Sequence, residues 1–165
     1  MVKRQVFFSF HFSNDSTRAG QIRNMGVVDN SSTFSDNDWE EVREKTDDKI
    51  KRWIDNQLNN RSCLVLLIGE ETANRKWINY EINKAIELNK GIVGIYIHNL
   101  KNLKGQQSNK GNNPFEYVTV KGEKSSKFIT TFDSKYKIST NVYNDIKSNI
   151  PGLIENAILN KPSTW

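Results

Sequence analysis

The stretch LVLLIGEETANRKWINYEINKAIELNKGIVGIYIH, residues 64–98, constrains the fold more than any other part of the chain. Its two apolar runs, 64–68 and 92–97, lack the apolar–polar alternation of a half-exposed strand. Each therefore reads as a strand buried on both faces, as in a parallel sheet. Parallel neighbours need a crossover, usually a helix. Residues 74–89 supply one, with Ile78, Ile82, Ala85 and Ile86 within an arc of roughly 100° on a helical wheel. QVFFSF (5–10) reads as another buried strand, and Ile50, Trp53, Ile54 and Leu58 form a helical stripe ahead of CLVLLIG (63–69). The order strand, helix, strand, helix, strand with buried strands predicts a doubly wound α/β domain with a mostly parallel central sheet flanked by helices. Ligands of such sheets bind outside the carboxyl ends of the strands, here residues 9–11, 69–72 and 98–99.

The rest of the chain gives weaker signals. Residues 11–38 are polar, with turn or cap signals in FSNDS, DNSS and FSDND; a short helix near 16–25 and a weak strand at 26–29 are the readings there. Asp36 or Asp38 can cap the second helix, with Glu40 and Glu41 in its first turn. The loop NLKNLKGQQSNKGNNPF is long and featureless, the mark of a mobile or functional segment. YVTV and KFITTF are minor strand candidates, and STNVYNDIKSNIPGLIENAILNK reads as a helix interrupted near Pro151.

Several chemistries are excluded. The chain contains 24 basic and 19 acidic residues, net +5, but signs mix along DWEEVREKTDDKIKR, a solvated helix face, and no basic stripe with interleaved aromatics speaks for nucleic acid. The single cysteine, Cys63, precludes an internal disulfide and a cysteine-based zinc site and reads as a buried strand thiol. There is no phosphate-cradling GxGxxG or GxxxxGK[ST] motif. A phosphoacceptor receiver would need an aspartate where a central strand ends, and Ser9, Gly69 and His98 stand there instead. The two histidines, His11 and His98, lie at strand ends near the ligand edge, with no triad or metal spacing around them. No run approaches the ~20 apolar residues of a membrane span and no leader is evident, so a cytoplasmic protein is expected.

One charged residue stands out on the crossover helix. Glu81 sits just outside the apolar arc, one turn after Trp77, six residues or roughly 9 Å along the axis from Arg75. A carboxylate there can look into a cleft at the strand ends with an indole as its wall. It can equally be a solvated glutamate paired with Lys84 or Lys76.

In three places the sequence resembles a known family. VFFSFHFSND at the first strand, IKRWIDNQLNNRSCLVLLIGEET through the second helix and strand, and NRKWINYEINKAIELNKGIVGIYIH resemble the Toll/interleukin-1 receptor (TIR) fold. Within it they are most similar to the TIR-like proteins of the bacterial Thoeris anti-phage system, as is KGNNPFEY further on. The elements Gly-x-x-Thr, Trp-x-x-x-Glu and Gly-Ile-x-Gly-Ile occur in order, and the match covers most of residues 4–120 of a single domain over 1–165, with 121–165 as a helix-containing C-terminal extension. The resemblance implies a flavodoxin-like, three-layer TIR fold and an enzyme that cleaves the nicotinamide–ribose bond of NAD with one helical glutamate, which falls on Glu81. It implies an NAD glycohydrolase or ADP-ribosyl cyclase switched on by phage infection, whose cyclic ADP-ribose isomer activates an effector. NAD is then substrate, and no cofactor or metal is needed. The same resemblance places Phe8, Ser9, Phe10 and His11 where the nucleotide cleft begins, with Phe10 either stacking on a base or packing in the core. Trp39 lines the cleft or staples its helix. Gly69 permits close backbone approach or ends a strand. Thr72 and Asn74 bind ligand or cap the helix, Arg75 and Lys76 attract phosphates or are solvated, and Trp77 walls the pocket.

Two rival readings of the same fold remain: a non-catalytic TIR module that assembles with other TIR domains, and a nucleotide-binding sensor without turnover. The chemistry favours the enzyme, since nicotinamide in NAD is already cationic and leaves neutral. No general acid is then required of the kind glycosidases use, and one fixed anion suffices to stabilise an oxocarbenium-like ribose. Homo-oligomerisation is expected under either TIR reading, and membrane or nucleic-acid partners under none.

Overall fold

A computed structural model describes residues 3–28 and 45–165. Its elements run β1 (Val6–Ser9), α1 (Phe12–Arg23), α2 (Asp47–Asn59), β2 (Cys63–Ile68), α3 (Lys76–Glu87), β3 (Gly91–Tyr96), β4 (Thr119–Val120), β5 (Glu123–Lys124), β6 (Thr131–Phe132) and α4 (Ser139–Leu159). Strands β1, β2, β3 and β6 form one wholly parallel sheet in that order, while β4 and β5 make a separate antiparallel ribbon. Residues Val6 to Ser9 pair with Cys63 to Leu66, and Cys63 to Ile68 with Gly91 to Tyr96.

The two faces of the sheet explain why β2 and β3 show no alternation. One face (Val6, Phe8, Cys63, Val65, Leu67, Val93, Ile95) packs on Ala19 and Ile22 of α1 and on Val142, Ile146, Ile150 and Ile154 of α4. The other (Phe7, Leu64, Leu66, Ile68, Ile92, Tyr96) packs on Ile50, Ile54 and Leu58 of α2 and on Ile78, Ile82 and Ala85 of α3. Every residue of β2 and β3 is buried between these helical layers. The result is the predicted three-layer α/β fold.

The structure departs from the sequence reading at several ends. Helix α1 begins at Phe12, four residues before the expected 16, with His11 as an extended N-cap residue that makes no side-chain cap. No strand forms at residues 26–28, where Gly26 turns the chain at φ +75°. Of the second helix, Trp39 and Val42 lie outside the described residues. Within YVTV and KFITTF only two residues each enter strands. Helix α4 runs unbroken through Pro151. The 99–113 loop is pinned rather than loose: Ser108 N–H donates to His98 O at 2.9 Å, Asn109 Nδ2 to Glu70 Oε1 at 2.9 Å, and Lys110 pairs with Asp133 at 2.9 Å. This strap lies on the end of β2, where a Cβ on Gly111 would come within 2.2 Å of Gly69 O. It lies over the β2 and β3 ends of the ligand edge, and a cavity opens beside the β1 end. Residues beyond 120 supply β6 and α4 to the same sheet and core.

Candidate active site

At that open end two helices start side by side. A cavity of about 260 Å³ is lined by Phe10, His11, Phe12 and Ser13 on one side and by Arg75, Lys76, Trp77 and Ile78 on the other. These are the first turns of α1 and α3. The first intrahelical bonds run from Asp15 N–H to His11 O and from Asn79 N–H to Arg75 O, both 2.9 Å. The amides of residues 12–14 and 76–78 thus precede any helical acceptor, and neither helix has a side-chain cap. Two positive dipole ends therefore converge on one cavity.

The side chains reinforce that field. Arg75 donates from Nε to Glu71 O at 2.8 Å and stays half exposed. Lys76 pairs with Asp47 across to α2, its Nζ 4.8 Å from the Trp77 ring centre. Trp77 meets Tyr80 edge-on at 5.8 Å, and Phe10 stacks on Phe12 at 6.3 Å, so the cavity has aromatic walls on both sides. His11 is held neutral: burial lowers its pKa most, Arg75 lowers it further, and Glu71 opposes them. Its Nδ1 is buried with no partner among the described residues, and a neutral imidazole offers one donor and one acceptor nitrogen.

Behind the cavity lies Glu81. It does not line the cavity wall but sits one turn along α3 from Trp77 and Ile78, 2% exposed, within the buried stripe formed with Ile78, Ile82 and Ala85. The reading that set it just outside the apolar arc is refined here: the buried arc extends to include it. Its Oε2 accepts a hydrogen bond from the Ser9 hydroxyl at the carboxyl end of β1, and Ser9 is itself 2% exposed. Of the lysines named as alternatives, Lys76 pairs with Asp47, and Lys84 with Asp55 and Glu87.

Of the other residues singled out in the sequence, Phe10, His11, Arg75 and Trp77 meet at the cavity. Phe8 belongs to the α1/α4 side of the core. Gly69 faces Asp15, whose Oδ2 would lie 1.9 Å from an added Cβ. Thr72 is fully buried and accepts from Gly69 N–H at 2.8 Å, so it closes the loop after β2 instead of capping α3. Asn74, at φ +60°, accepts from Asn79 Nδ2. Trp39 lies outside the described residues. His98 is buried at the end of β3, edge-on to Tyr96 at 6.0 Å, away from the cavity.

Sequence reasoning missed Phe12 and Ser13, because FSNDS reads as a turn until the helix is known to start there. It also missed the buried pair Asp15 and Arg18, 3.0 Å apart at i,i+3 spacing on α1, which anchors that helix start to the strap. Arg18 also donates from Nε to Leu100 O and from Nη2 to Gln106 O.

Residues 7–102 match the family model described as Thoeris protein ThsB, TIR-like domain. The chain belongs to that family. A ThsB relative from Bacillus cereus (strain MSX-D12), carrying the name "Putative cyclic ADP-D-ribose synthase ThsB1", is 40% identical over 123 residues, covering 72% of this chain and 64% of its own length. This chain thus spans less than two thirds of that relative. The ThsB match runs from β1 to the start of the strap and so contains Ser9, Glu81 and the whole cavity lining, while β6 and α4 lie beyond it. Among the described residues no helix is long and apolar enough to cross a membrane, and no group of three His, Cys, Asp or Glu side chains is placed to hold a metal.

Proposed function

We propose that this chain cleaves the nicotinamide–ribose bond of NAD and closes the remaining ADP-ribose on itself to give a cyclic isomer. The observation that carries this reading is the buried Glu81 carboxylate, held by Ser9 behind a cavity with aromatic walls and two helix N-termini. The name of the Bacillus cereus relative supports it.

In this reading the pyrophosphate takes the amides at the starts of α1 and α3, with Arg75 beside them. Trp77 and Phe10 offer faces for the rings, and His11 donates to an oxygen of the substrate. The C1′–N bond breaks with its electron pair going to nicotinamide, which leaves neutral. Positive charge develops on the ribose, and Glu81 stabilises it in a water-poor setting where a fixed charge is worth most. An ADP-ribose hydroxyl then attacks C1′ and releases its proton; holding that hydroxyl closer than water selects ring closure over hydrolysis. The cavity lies just below the roughly 300–1,000 Å³ usual for small-molecule sites, so it takes part of a dinucleotide, and a second copy of the chain covers the rest. The product is a soluble signal to an effector, and a phage component switches the enzyme on.

The test compares wild type with Glu81→Gln in phage-challenged cells, with nucleotides read by mass spectrometry. Wild type should consume NAD and accumulate a cyclic ADP-ribose isomer; Glu81→Gln should lose at least about a hundredfold of that output. Equal product from both would overturn the reading.

A further inference from the structure

We propose that Ser9 is the positioning residue for Glu81: its hydroxyl, presented from the end of β1, fixes the plane of the carboxylate toward the cavity. This rests on the function proposed above.

The placement follows from strand parity. Phe7 faces α2 and α3, so Ser9, two residues on, faces the same way. That face is otherwise apolar on β2 (Leu64, Leu66, Ile68), and Ser9 is registered beside Leu66. A serine there is the one small polar side chain of β1, and it stands where α3 brings in its buried acid. Burying a hydroxyl without a partner is unfavourable, and burying a carboxylate is more so. Each offsets the other here, since a hydroxyl donating to the ionised form favours that form.

Geometry adds the second half. A glutamate has three rotatable bonds and, buried at a helix edge, several ways to point. Tethering Oε2 to a strand end adds a hold from Ser9 on β1 to that of its own backbone on α3. Both neighbours are stiff: β1 is paired to β2 through four residues, and Phe10 and His11, directly after Ser9, form the cavity wall. The carboxylate is thus referenced to the wall that would hold the sugar. In this proposal Ser9 touches Glu81 and acts through it.

The experiment uses lysates of phage-infected cells expressing wild type, Ser9→Ala, Ser9→Cys, Glu81→Gln or the Ser9→Ala/Glu81→Gln pair at matched levels, with initial NAD loss followed against NAD concentration. Ser9→Ala should lower apparent kcat by about 10–100-fold, the range for losing a hydrogen bond to a charged group, with KM changed less than about twofold. Ser9→Cys fills the same space with a weak donor and should fall in the same direction. In the Glu81→Gln background the serine change should add nothing further. A normal kcat in Ser9→Ala, or a raised KM alone, would overturn the positioning role while leaving Glu81 in place. Full activity in Glu81→Gln would overturn the parent reading instead. Urea unfolding of the four proteins of the cycle gives an answer independent of turnover: the losses from Ser9→Ala and Glu81→Gln should be coupled, and additive losses would count against the contact.

Discussion

Gly69 shows how a single missing side chain shapes this site. A Cβ there would lie 1.9 Å from Asp15 Oδ2 and 2.6 Å from its Cγ. Asp15 has nowhere to go: it is 1% exposed and tied to Arg18, which is itself bonded to the carbonyls of Leu100 and Gln106. Overpacking a filled site costs about 1–3 kcal/mol, and loosening a buried ion pair adds to that. Gly69→Ala should therefore lower the unfolding free energy by at least about 2 kcal/mol, read as a drop in urea midpoint at unchanged slope; an unchanged midpoint would mean that α1 yields easily. The sequence marked Gly69 as a close backbone approach or a strand end and gave no sign of Asp15, which falls before the helix predicted near 16–25. Glu81 was legible from the helical wheel to within one position of the buried arc. The Ser9 contact, 72 residues away in the chain, was not, since only the register of β1 on β2 brings it there.

Among the elements, α4 carries the most direct conflict between local rule and tertiary packing. Pro151 removes the amide that would bond the carbonyl four residues earlier, which argues for a break. The helix nevertheless runs for 21 residues, because Val142, Ile146, Ile150, Ile154 and Ala157 form one buried stripe that spans the proline and packs on the sheet. Pro151→Ala keeps that stripe and restores a backbone donor. It should raise stability by about 1–3 kcal/mol, with the upper end set by the propensity difference between proline and alanine and the gain reduced by the freer unfolded chain. A lower melting temperature would show that the ring's own packing outweighs the lost bond. The apolar stripe was legible; its victory over proline was not. The strap at 99–113, read from the sequence as mobile or functional, hid its order for a related reason. Its composition is that of a loose loop, yet Asn102 Oδ1 accepts from the amides of Lys104 and Gln106, and Gln107 donates to Asn99 O and Lys137 O. Side-chain amides that bond backbone, whether a few residues on as at Asn102 or 30 residues away as from Gln107 to Lys137, leave no periodic trace.

For the molecule as a whole, unbroken apolar runs alternating with helical stripes sufficed to predict the layers, whereas β4 and β6, two residues each, showed only as the minor candidates YVTV and KFITTF, and β5 not at all. The same layering sets a pH dependence. His11 and His98 both have their pKa lowered, first by burial; Arg75 adds to this at His11, and Lys110 and Arg18 add to it at His98 against Asp133. A folded-state pKa below the unfolded value of about 6.5 means that, as pH falls through 6.5, the unfolded chain takes up protons that the fold does not. Stability must therefore decline on acidification from pH 6.5 and level off below the folded pKa values. Asp15 works the other way, since burial raises its carboxyl pKa against the pull of Arg18. Urea midpoints between pH 7.5 and 5.5 should fall for wild type and stay nearly flat for His11→Gln/His98→Gln. Because the chain is already at +5, general charge repulsion would also grow on acidification. Repeating the series near 1 M salt, where the screening length is about 3 Å, separates the two: repulsion fades, while the cost of charging the buried His98 and partly buried His11 rings persists. A wild-type midpoint that holds steady across this range at high salt would show that both imidazoles titrate as they do in the unfolded chain.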